Sequence, residues 1–117
     1  MTPNKKGSST MTFIAIEVAL RLIRSLRAPV ARIRKHSATQ AKQIEEAGSS
    51  TAANLFEGNR REGRDRRHFF LIAAGSADEV RGHLLTSEAW GWVERADIEE
   101  PLEHADHLLA ILWKLTH

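Results

Sequence analysis

The stretch TFIAIEVALRLIRSLRAPVARIRK, residues 12–35, decides the fold, because its apolar side chains recur with the period of an α-helix. One face of that helix carries Ala15, Ala19, Leu22, Ile23, Leu26, Val30 and Ile33. The opposite face is basic and carries Arg21, Arg24, Arg32 and Lys35. This pattern predicts an amphipathic helix that packs in a bundle. We expect a kink or break at Pro29, which lacks a backbone donor and crowds the preceding turn.

Three further segments have the helical period, and no segment alternates with the period of a strand. They span about residues 38–58, 64–90 and 98–115. Because short loops such as residues 59–63 join them, the sequence predicts an all-α, up-down-up-down four-helix bundle. The expected inward faces are Ala41, Ile44, Gly48, Thr51 and Leu55 in the second helix, Phe69, Ile72, Ala73, Ser76, Val80, Leu84 and Ser87 in the third, and Leu102, Ala105, Leu108, Leu109, Leu112 and Trp113 in the fourth.

Residues with known capping preferences mark the ends of the second and fourth helices. Ser37 with Gln40 fits a capping box, in which the two side chains satisfy free backbone N–H groups. Gly58 is expected to end the second helix in the left-handed conformation. Asp97 is the expected N-cap of the fourth helix, which places Pro101 in its first turn, where a missing N–H matters least.

The third helix contains two glycines, Gly75 and Gly82, and is followed by Gly91. A glycine inside a helix costs about 1 kcal/mol relative to alanine. We therefore expect tight backbone packing at Gly75 and Gly82, and we expect Gly91 to end or loosen the helix.

The charge of the chain is unevenly distributed. Its 117 residues include no cysteine and have a formal net charge of +2. Residues 1–67 carry 14 Lys/Arg against 6 Asp/Glu, a net of +8, whereas residues 68–117 carry 3 against 9, a net of −6. The length fits one domain, and the lack of cysteine excludes disulfides and thiolate metal sites. The asymmetry is typical of nucleic-acid binding or of assembly between complementary surfaces.

No targeting or membrane-spanning segment is expected from the sequence. Residues 1–11 are mostly polar and predict a mobile tail, followed by a single domain over residues 12–117. Charges at Glu17, Arg21 and Arg24 interrupt the apolar stretch too often for a signal peptide or a membrane span. We therefore expect a cytoplasmic protein.

Five arginines lie close together at the third helix's start, and they are candidate phosphate ligands because a guanidinium donates two parallel hydrogen bonds. They are Arg60, Arg61, Arg64, Arg66 and Arg67. Alternatively, they form a solvated turn and pair with Glu57, Glu62 and Asp65. Because cations oppose the dipole at a helix N-terminus, stability alone does not favour Arg66 and Arg67 there.

The basic stripe of the first helix, defined by Arg21, Arg24, Arg32 and Lys35, is a second candidate surface. It is a solvated face, a phosphate-binding face, or a face that meets acidic residues of a neighbouring subunit. The acidic candidates are Glu99, Glu100, Glu103 and Asp106 in the fourth helix and Asp78, Glu79 and Glu88 in the third. A head-to-tail ring would use such complementary faces.

Catalytic and metal-binding patterns are weak, and we expect no enzyme activity, no cofactor and no small-molecule substrate. The Glu/His pairs Glu79–His83, Glu100–His104 and Glu103–His107 have a four-residue spacing, unlike the Glu-x-x-His of di-metal bundles. Asn54 and Glu57 could form a catalytic carboxylate with a helper amide, but a structural role is favoured. Trp90, Trp92 and Trp113 could stack bases, although a place in the core or at a subunit interface is favoured.

The second and third helices carry a pattern that resembles a known bacterial family. Its first part is Gln43-Ile44, Ala47, Ser50, Asn54 and Glu57-Gly58. Its second part is the run from Phe69 to Gly75-Ser76, with Glu79 after it, and Trp90-Gly91-Trp92-Val93 resembles the segment that closes the third helix. The pattern is similar to the four-helix bundle proteins encoded in intervening sequences of large-subunit ribosomal RNA genes. That family includes the accessory variability determinants of diversity-generating retroelements.

The resemblance implies a homo-oligomeric ring, a pentamer in the known relatives, whose retroelement branch binds nucleic acid and partners a reverse transcriptase. Glu45 and Glu46 stand where relatives often carry arginine, which argues against nucleic-acid binding by that face. The family-signature residues Gln43, Ser50, Asn54, Glu57, Gly58, Gly75, Ser76 and Glu79 are expected to be structural. The sequence thus predicts a non-catalytic oligomer that binds RNA or DNA in an accessory role. The alternative is a structural or adaptor bundle whose charges serve only assembly.

Overall fold

Four α-helices make up the computed structural model, which describes the backbone of residues 3–117 and the side chains of residues 10–117. They are α1 (Pro3–Arg34), α2 (Ala38–Asn59), α3 (Gly63–Ala89) and α4 (Arg95–Thr116). No strand occurs in this described part. α1 and α3 each pack between α2 and α4. With loops this short, neighbouring helices are antiparallel, and the predicted four-helix bundle is confirmed.

The core forms two layers along the bundle. One layer lies toward the end where α1 meets α2 and is built around Leu22, Ile33, Ile44, Leu84 and Ile98. The other lies toward the opposite end and contains Ala15, Ala19, Leu55, Phe70, Ala73, Leu108 and Leu112. Every buried side-chain nitrogen or oxygen among the described residues has a hydrogen-bond partner. The buried hydroxyls reach carbonyls one turn back, as Thr51 Oγ1 does at 2.8 Å from the Ala47 oxygen.

The inward face predicted for α1 is confirmed, but the helix differs from the prediction at two places. All the predicted residues are buried except Ile23, which is half-buried. Of the predicted kink or break at Pro29, the break is wrong, because α1 continues through this buried proline to Arg34, and the kink stays a prediction. Val30 and Ile33 after it are buried in the core, and their packing keeps the chain helical. α1 also begins earlier than expected, at Pro3. The predicted tail falls partly on residues 1–9, whose side chains lie outside the described residues, and its mobility stays a prediction.

The ends of α2 confirm one capping prediction and correct two others. The Ser37 hydroxyl accepts a hydrogen bond from the Gln40 N–H at 3.1 Å. The Gln40 side chain does not complete the box, because its Nε2 lies 2.9 Å from His83 Nδ1 and donates to the His83 carbonyl at 3.2 Å. Gly58 does not stop the helix, which continues to Asn59 with no left-handed residue there. Glycine is required at this position because an added Cβ would lie 2.6 Å from the ring of Phe70.

The predicted inward face of α3 is partly wrong. Ala73, Val80, Leu84 and Ser87 are buried as expected, whereas Phe69 is half-buried and Ile72 is exposed. Phe70, Ala73 and Ala77 form the buried face of the first half of the helix. The expected tight packing at Gly75 and Gly82 is also wrong, since no atom lies within 4 Å of a Cβ added at either. Gly91 ends the helix as predicted, with φ of +82°.

α4 begins before the predicted start. Its N-cap is Glu94, and Asp97 lies in the first turn and accepts a hydrogen bond from the Glu94 N–H at 2.9 Å. Pro101 therefore lies deeper in the helix than expected, where it is buried. Ala105, Leu108 and Leu112 are buried as predicted, but Trp113 is 62% exposed.

Candidate functional site

The exposed side of α1 carries a row of cations with few carboxylates close to them. We call Arg21, Arg24, Arg27, Arg32 and Lys35, all exposed, the α1 basic face. Glu17 is the only carboxylate of α1, and its Oε1 lies 4.0 Å from Arg21 Nε and 3.9 Å from Arg24 Nη2. At these distances, between solvent-exposed side chains, ion pairing neutralises little of the positive charge.

The C-terminal part of α1 is tied to both neighbouring helices. Arg32 Nη1 lies 3.4 Å from Asp97 Oδ2 of α4. Arg34 Nη2 lies 2.7 Å from Glu45 Oε1 of α2. Glu45 thus pairs with α1 rather than facing solvent alone. Arg21, Arg24 and Arg27 remain available to an external anion.

The predicted arginine cluster at the loop between α2 and α3 is largely engaged within the protein. Glu57 receives Arg60 Nη2 at 2.8 Å on one oxygen and Arg61 Nε at 3.0 Å on the other. These hydrogen bonds, first from Arg61 and then from Arg60, lower the pKa of the Glu57 carboxyl below its ordinary value. The Arg61 guanidinium also lies 5.3 Å from the centre of the Phe69 ring. Both arginines are therefore held against α2 and α3.

Arg66 and Arg67 donate hydrogen bonds to carbonyls at the C-terminal ends of two helices. Arg66 donates to the carbonyls of Gly58 at 3.3 Å and Asn59 at 3.2 Å, at the C-terminus of α2. Arg67 Nε donates to the Thr116 carbonyl at 2.9 Å, at the C-terminus of α4. The expectation that stability does not favour them is wrong, because cations at the negative ends of two other helix dipoles are stabilising. Arg64 alone of the five has no partner among the described side chains.

The family-signature residues meet along the groove between α2 and α3. Ser50 Oγ lies 2.9 Å from Ser76 Oγ across the groove. Asn54 Nδ2 donates to the Ser50 carbonyl at 2.8 Å and approaches its hydroxyl at 3.1 Å. Ser50, Ser76, Gln43 and Glu79 line a cleft of about 560 Å³. Gly75 is the exception, because it faces open space.

These contacts favour the structural interpretation of Asn54 and Glu57. The Asn54 amide bonds within α2, and the Glu57 carboxylate is taken by two arginines. The Glu/His pairs make contacts of their own: Glu79 lies 4.0 Å from His83, and Glu100 lies 3.7 Å from His104. No three metal-ligating side chains converge among residues 10–117. No helix in the described part of the chain is long and apolar enough to cross a membrane.

An aromatic row lies at the end of the bundle where α1 and α3 finish, and the sequence analysis did not predict it. The rings of Trp90 and Trp92 have centroids 5.9 Å apart and planes 14° from parallel. The rings of Trp92 and His36 follow at 6.2 Å and 7°. Trp90 is 69% exposed, Trp92 is half-buried, and His36 is exposed. The signal for the row is Trp90-Gly91-Trp92 at a helix end.

The turn at Gly91 holds this aromatic row in place. The Gly91 N–H donates to the Glu88 carbonyl at 2.9 Å, and the Trp92 N–H donates to the Ser87 carbonyl at 3.0 Å. With φ of +82° at Gly91, this is the Schellman arrangement of a helix C-terminus. The reversal brings Trp92 back under the end of α3, between Trp90 and His36.

The acidic residues of α4 lie on its exposed side, and Glu99, Glu103 and Asp106 line a groove between α4 and α3. Glu99, Glu100 and Glu103 are exposed, and Asp106 Oδ1 accepts from Arg81 Nε of α3 at 2.9 Å. Glu88 of α3 is held by Arg95, whose two hydrogen bonds lower the pKa of that carboxyl. The predicted separation of a basic helix from an acidic one therefore exists in the folded chain.

A solved structure with the same fold comes from Bacteroides thetaiotaomicron and is described as a protein of unknown function from the S23 ribosomal protein family. It aligns with a TM-score of 0.74 and 19% identity over 87% of this chain and 97% of its own. No curated protein is significantly similar to the chain. The family model described as 23S rRNA-intervening sequence protein matches residues 14–114, which cover α2, α3 and most of α1 and α4, with the whole signature groove. The chain belongs to the family of 23S rRNA-intervening sequence proteins.

Proposed function

We propose that this protein is a non-catalytic, homo-oligomeric accessory protein of the cytoplasm that binds RNA or DNA through the phosphate backbone. The α1 basic face is the observation that carries this proposal. Of its five exposed cations, Arg21 and Arg24 share the carboxylate of Glu17 at distances no shorter than 3.9 Å. Arg32 pairs with Asp97 at 3.4 Å, whereas Arg27 and Lys35 make no ion pair among the described residues. A row of unneutralised cations along one helix binds a polyanion by releasing counterions, without sequence preference.

The arginine cluster contributes less to this interface than its composition indicates. Four of its five arginines already bind Glu57 or helix carbonyls. A phosphate would have to replace those contacts, whereas Arg64 is free to bind at once. We therefore place the main contact surface on Arg21, Arg24 and Arg27, with Arg64 as a secondary contact.

The test is fluorescence anisotropy of a labelled RNA over a salt series. The intact protein is expected to bind at low salt, with log Kd linear in log salt concentration. The triple variant Arg21→Gln, Arg24→Gln, Arg27→Gln is expected to bind more weakly and to lose about 2 to 3 units of slope, at about 0.7 to 0.9 per phosphate contact. The matched control removes three cations elsewhere: Arg81→Gln, Arg95→Gln, Lys114→Gln. Equal slopes in the two variants would refute the α1 interface, and no binding at low salt would refute nucleic-acid binding altogether.

A second function is favoured by the exposed acidic side of α4, which carries Glu99, Glu100 and Glu103. In this alternative, the protein is a structural or adaptor bundle whose charges serve only assembly. The α1 basic face of one subunit contacts the acidic side of α4 in the next, and the subunits close into a ring, pentameric as in the relatives. Light scattering is expected to show Arg24→Glu dissociating the ring and Glu103→Lys in the same chain restoring it. Nucleic acid would then bind weakly or not at all.

The retroelement branch of the family adds a reverse transcriptase as the proposed protein partner. Co-purification of this chain with a reverse transcriptase expressed from the same genome tests that part. A reverse transcriptase that elutes apart from the oligomer, at low salt and with RNA present, would exclude it.

A further inference from the structure

We infer that the aromatic row of Trp90, Trp92 and His36 is a base-stacking platform, through which the protein prefers unpaired nucleotides to a duplex. This inference rests on the proposed binding of nucleic acid and adds the class of nucleic acid. Phosphate contacts along α1 distinguish a single strand from a duplex poorly, since both present phosphates. A free aromatic face makes that distinction, because only an unpaired base can leave its stack to cover it.

The geometry of the row suits stacking. Trp92 lies between the other two rings and is near parallel to both, at 14° and 7°. Trp90 is the outer ring and is 69% exposed. Centroid separations of 5.9 and 6.2 Å correspond to offset stacking, the arrangement that aromatic rings favour. The half-buried Trp92 and the turn at Gly91 hold the outer indole, so little rotamer entropy is lost when a base stacks on it.

The surroundings of Trp90 suit a nucleotide better than a protein surface. Its exposed apolar neighbours are few: the other large, exposed hydrophobic side chains among the described residues lie toward the opposite end of the bundle. They are Phe13, Ile14, Phe56, Leu71, Ile72 and Trp113. A subunit interface needs a contiguous apolar centre, which an isolated indole does not provide. Two cations are close to His36 along the chain: Lys35 directly precedes it, and Arg32, which also pairs with Asp97, lies one turn before it.

The arrangement joins two kinds of contact at one end of α1. Phosphates along the α1 basic face would lead the strand toward the C-terminus of the helix, where Lys35 lies. An unpaired base at that end would then cover the outer face of Trp90. Base–aromatic stacking tolerates any sequence, which agrees with an accessory protein that reads no sequence.

The experiment compares Kd values for an unstructured oligouridine and for an RNA duplex of the same length. The wild-type protein is expected to prefer the single strand. Trp90→Ala is expected to weaken single-strand binding by about 5- to 150-fold, the loss of one stacked base, and to change duplex binding by less than about twofold. Trp90→Phe is expected to retain most of the single-strand affinity. The matched control is Trp113→Ala, which removes an indole of similar exposure at the other end and is expected to change neither value.

Each alternative result has a separate meaning. If the wild type binds neither RNA, the proposed function fails and the platform fails with it. If the wild type binds but Trp90→Ala matches it on both RNAs, the platform is refuted and the proposed function stands. If light scattering shows that Trp90→Ala changes the oligomer mass, Trp90 is a subunit contact and the platform is refuted.

Discussion

Gly58→Ala is the substitution that most sharply tests the packing of α2 against α3. A Cβ at this position would lie 2.6 and 2.8 Å from two atoms of the Phe70 ring and 3.2 Å from Phe69 Cβ. Carbon atoms in favourable contact are about 3.5 to 4.0 Å apart, so the ring has to move by about 1 Å. Phe70 is 1% exposed, and it cannot turn outward to make room.

Two opposing terms decide the size of the effect. Overpacking of a filled core costs about 1 to 3 kcal/mol. Replacing glycine with alanine inside a helix raises the free energy of unfolding by up to about 1 kcal/mol. We therefore expect Gly58→Ala to lower the free energy of unfolding by about 0.5 to 2 kcal/mol, although alanine is the better helix former.

The assay is urea denaturation followed by circular dichroism, at one protein concentration because the proposed assembly would make apparent stability depend on concentration. Gly75→Ala and Gly82→Ala are the controls: an added Cβ there meets nothing within 4 Å, so each is expected to stabilise by about 0.5 to 1 kcal/mol. In a double-mutant cycle, Phe70→Leu should lower the free energy of unfolding by less in the Gly58→Ala background than in the wild type. If Gly58→Ala proves as stabilising as the controls, the close approach of Gly58 and Phe70 is wrong.

Three further predictions concern helix ends. Ser37→Ala removes the acceptor of the Gln40 N–H and should cost about 1 kcal/mol in urea denaturation, whereas an unchanged midpoint would deny the cap. Gly91→Ala forces a Cβ into a backbone with φ of +82° and should cost about 1 to 2 kcal/mol, although the space around it is open. The pKa of Glu57 should lie below its ordinary value of 4.5 in an NMR titration. The stabilisation by the Glu57 carboxylate should be complete above about pH 4.5 and should vanish as the pH falls through the lowered pKa. The difference in unfolding free energy between the wild type and Glu57→Gln should therefore close at low pH. A difference that persists there would contradict the pairing with Arg60 and Arg61.

The sequence predicted the inward face of a helix correctly where only one face of that helix is apolar. In α1 and α2 the apolar or small residues recur at helical spacing between charged ones, so only one face can turn inward. In α3 the run Phe69-Phe70-Leu71-Ile72 is apolar on every side. The periodicity then leaves the rotation of the helix open, and the contact between Phe70 and Gly58 decides it. A contact between residues on two helices is not visible in the period of either one.

The candidate site was predicted less well than the fold, because a charge count does not show where a charged group binds. The carbonyls that accept Arg66 and Arg67 belong to the ends of α2 and α4. Thr116 is far from Arg67 along the chain, and only the bundle brings them together. The same holds for His36 and Trp92, whose stacking requires that α1 and α3 end at the same level. The signature residues Ser50 and Ser76 contact each other across two helices, which the sequence did not predict, and their structural role stays a prediction.

The two proposed uses of the α1 basic face compete for the same atoms, and this makes them distinguishable. Arg32 already pairs with Asp97, so Arg21, Arg24 and Arg27 are the cations that phosphate or a neighbouring subunit must share. If the neighbour's carboxylates cover them, RNA and assembly exclude each other, and saturating RNA lowers the oligomer mass. If phosphate binds them, the ring forms through other surfaces, and the mass rises only by that of the bound RNA. The exposed apolar side chains at the opposite end, Phe13 and Ile14 among them, are then the surface left for assembly, because their burial does not depend on charge.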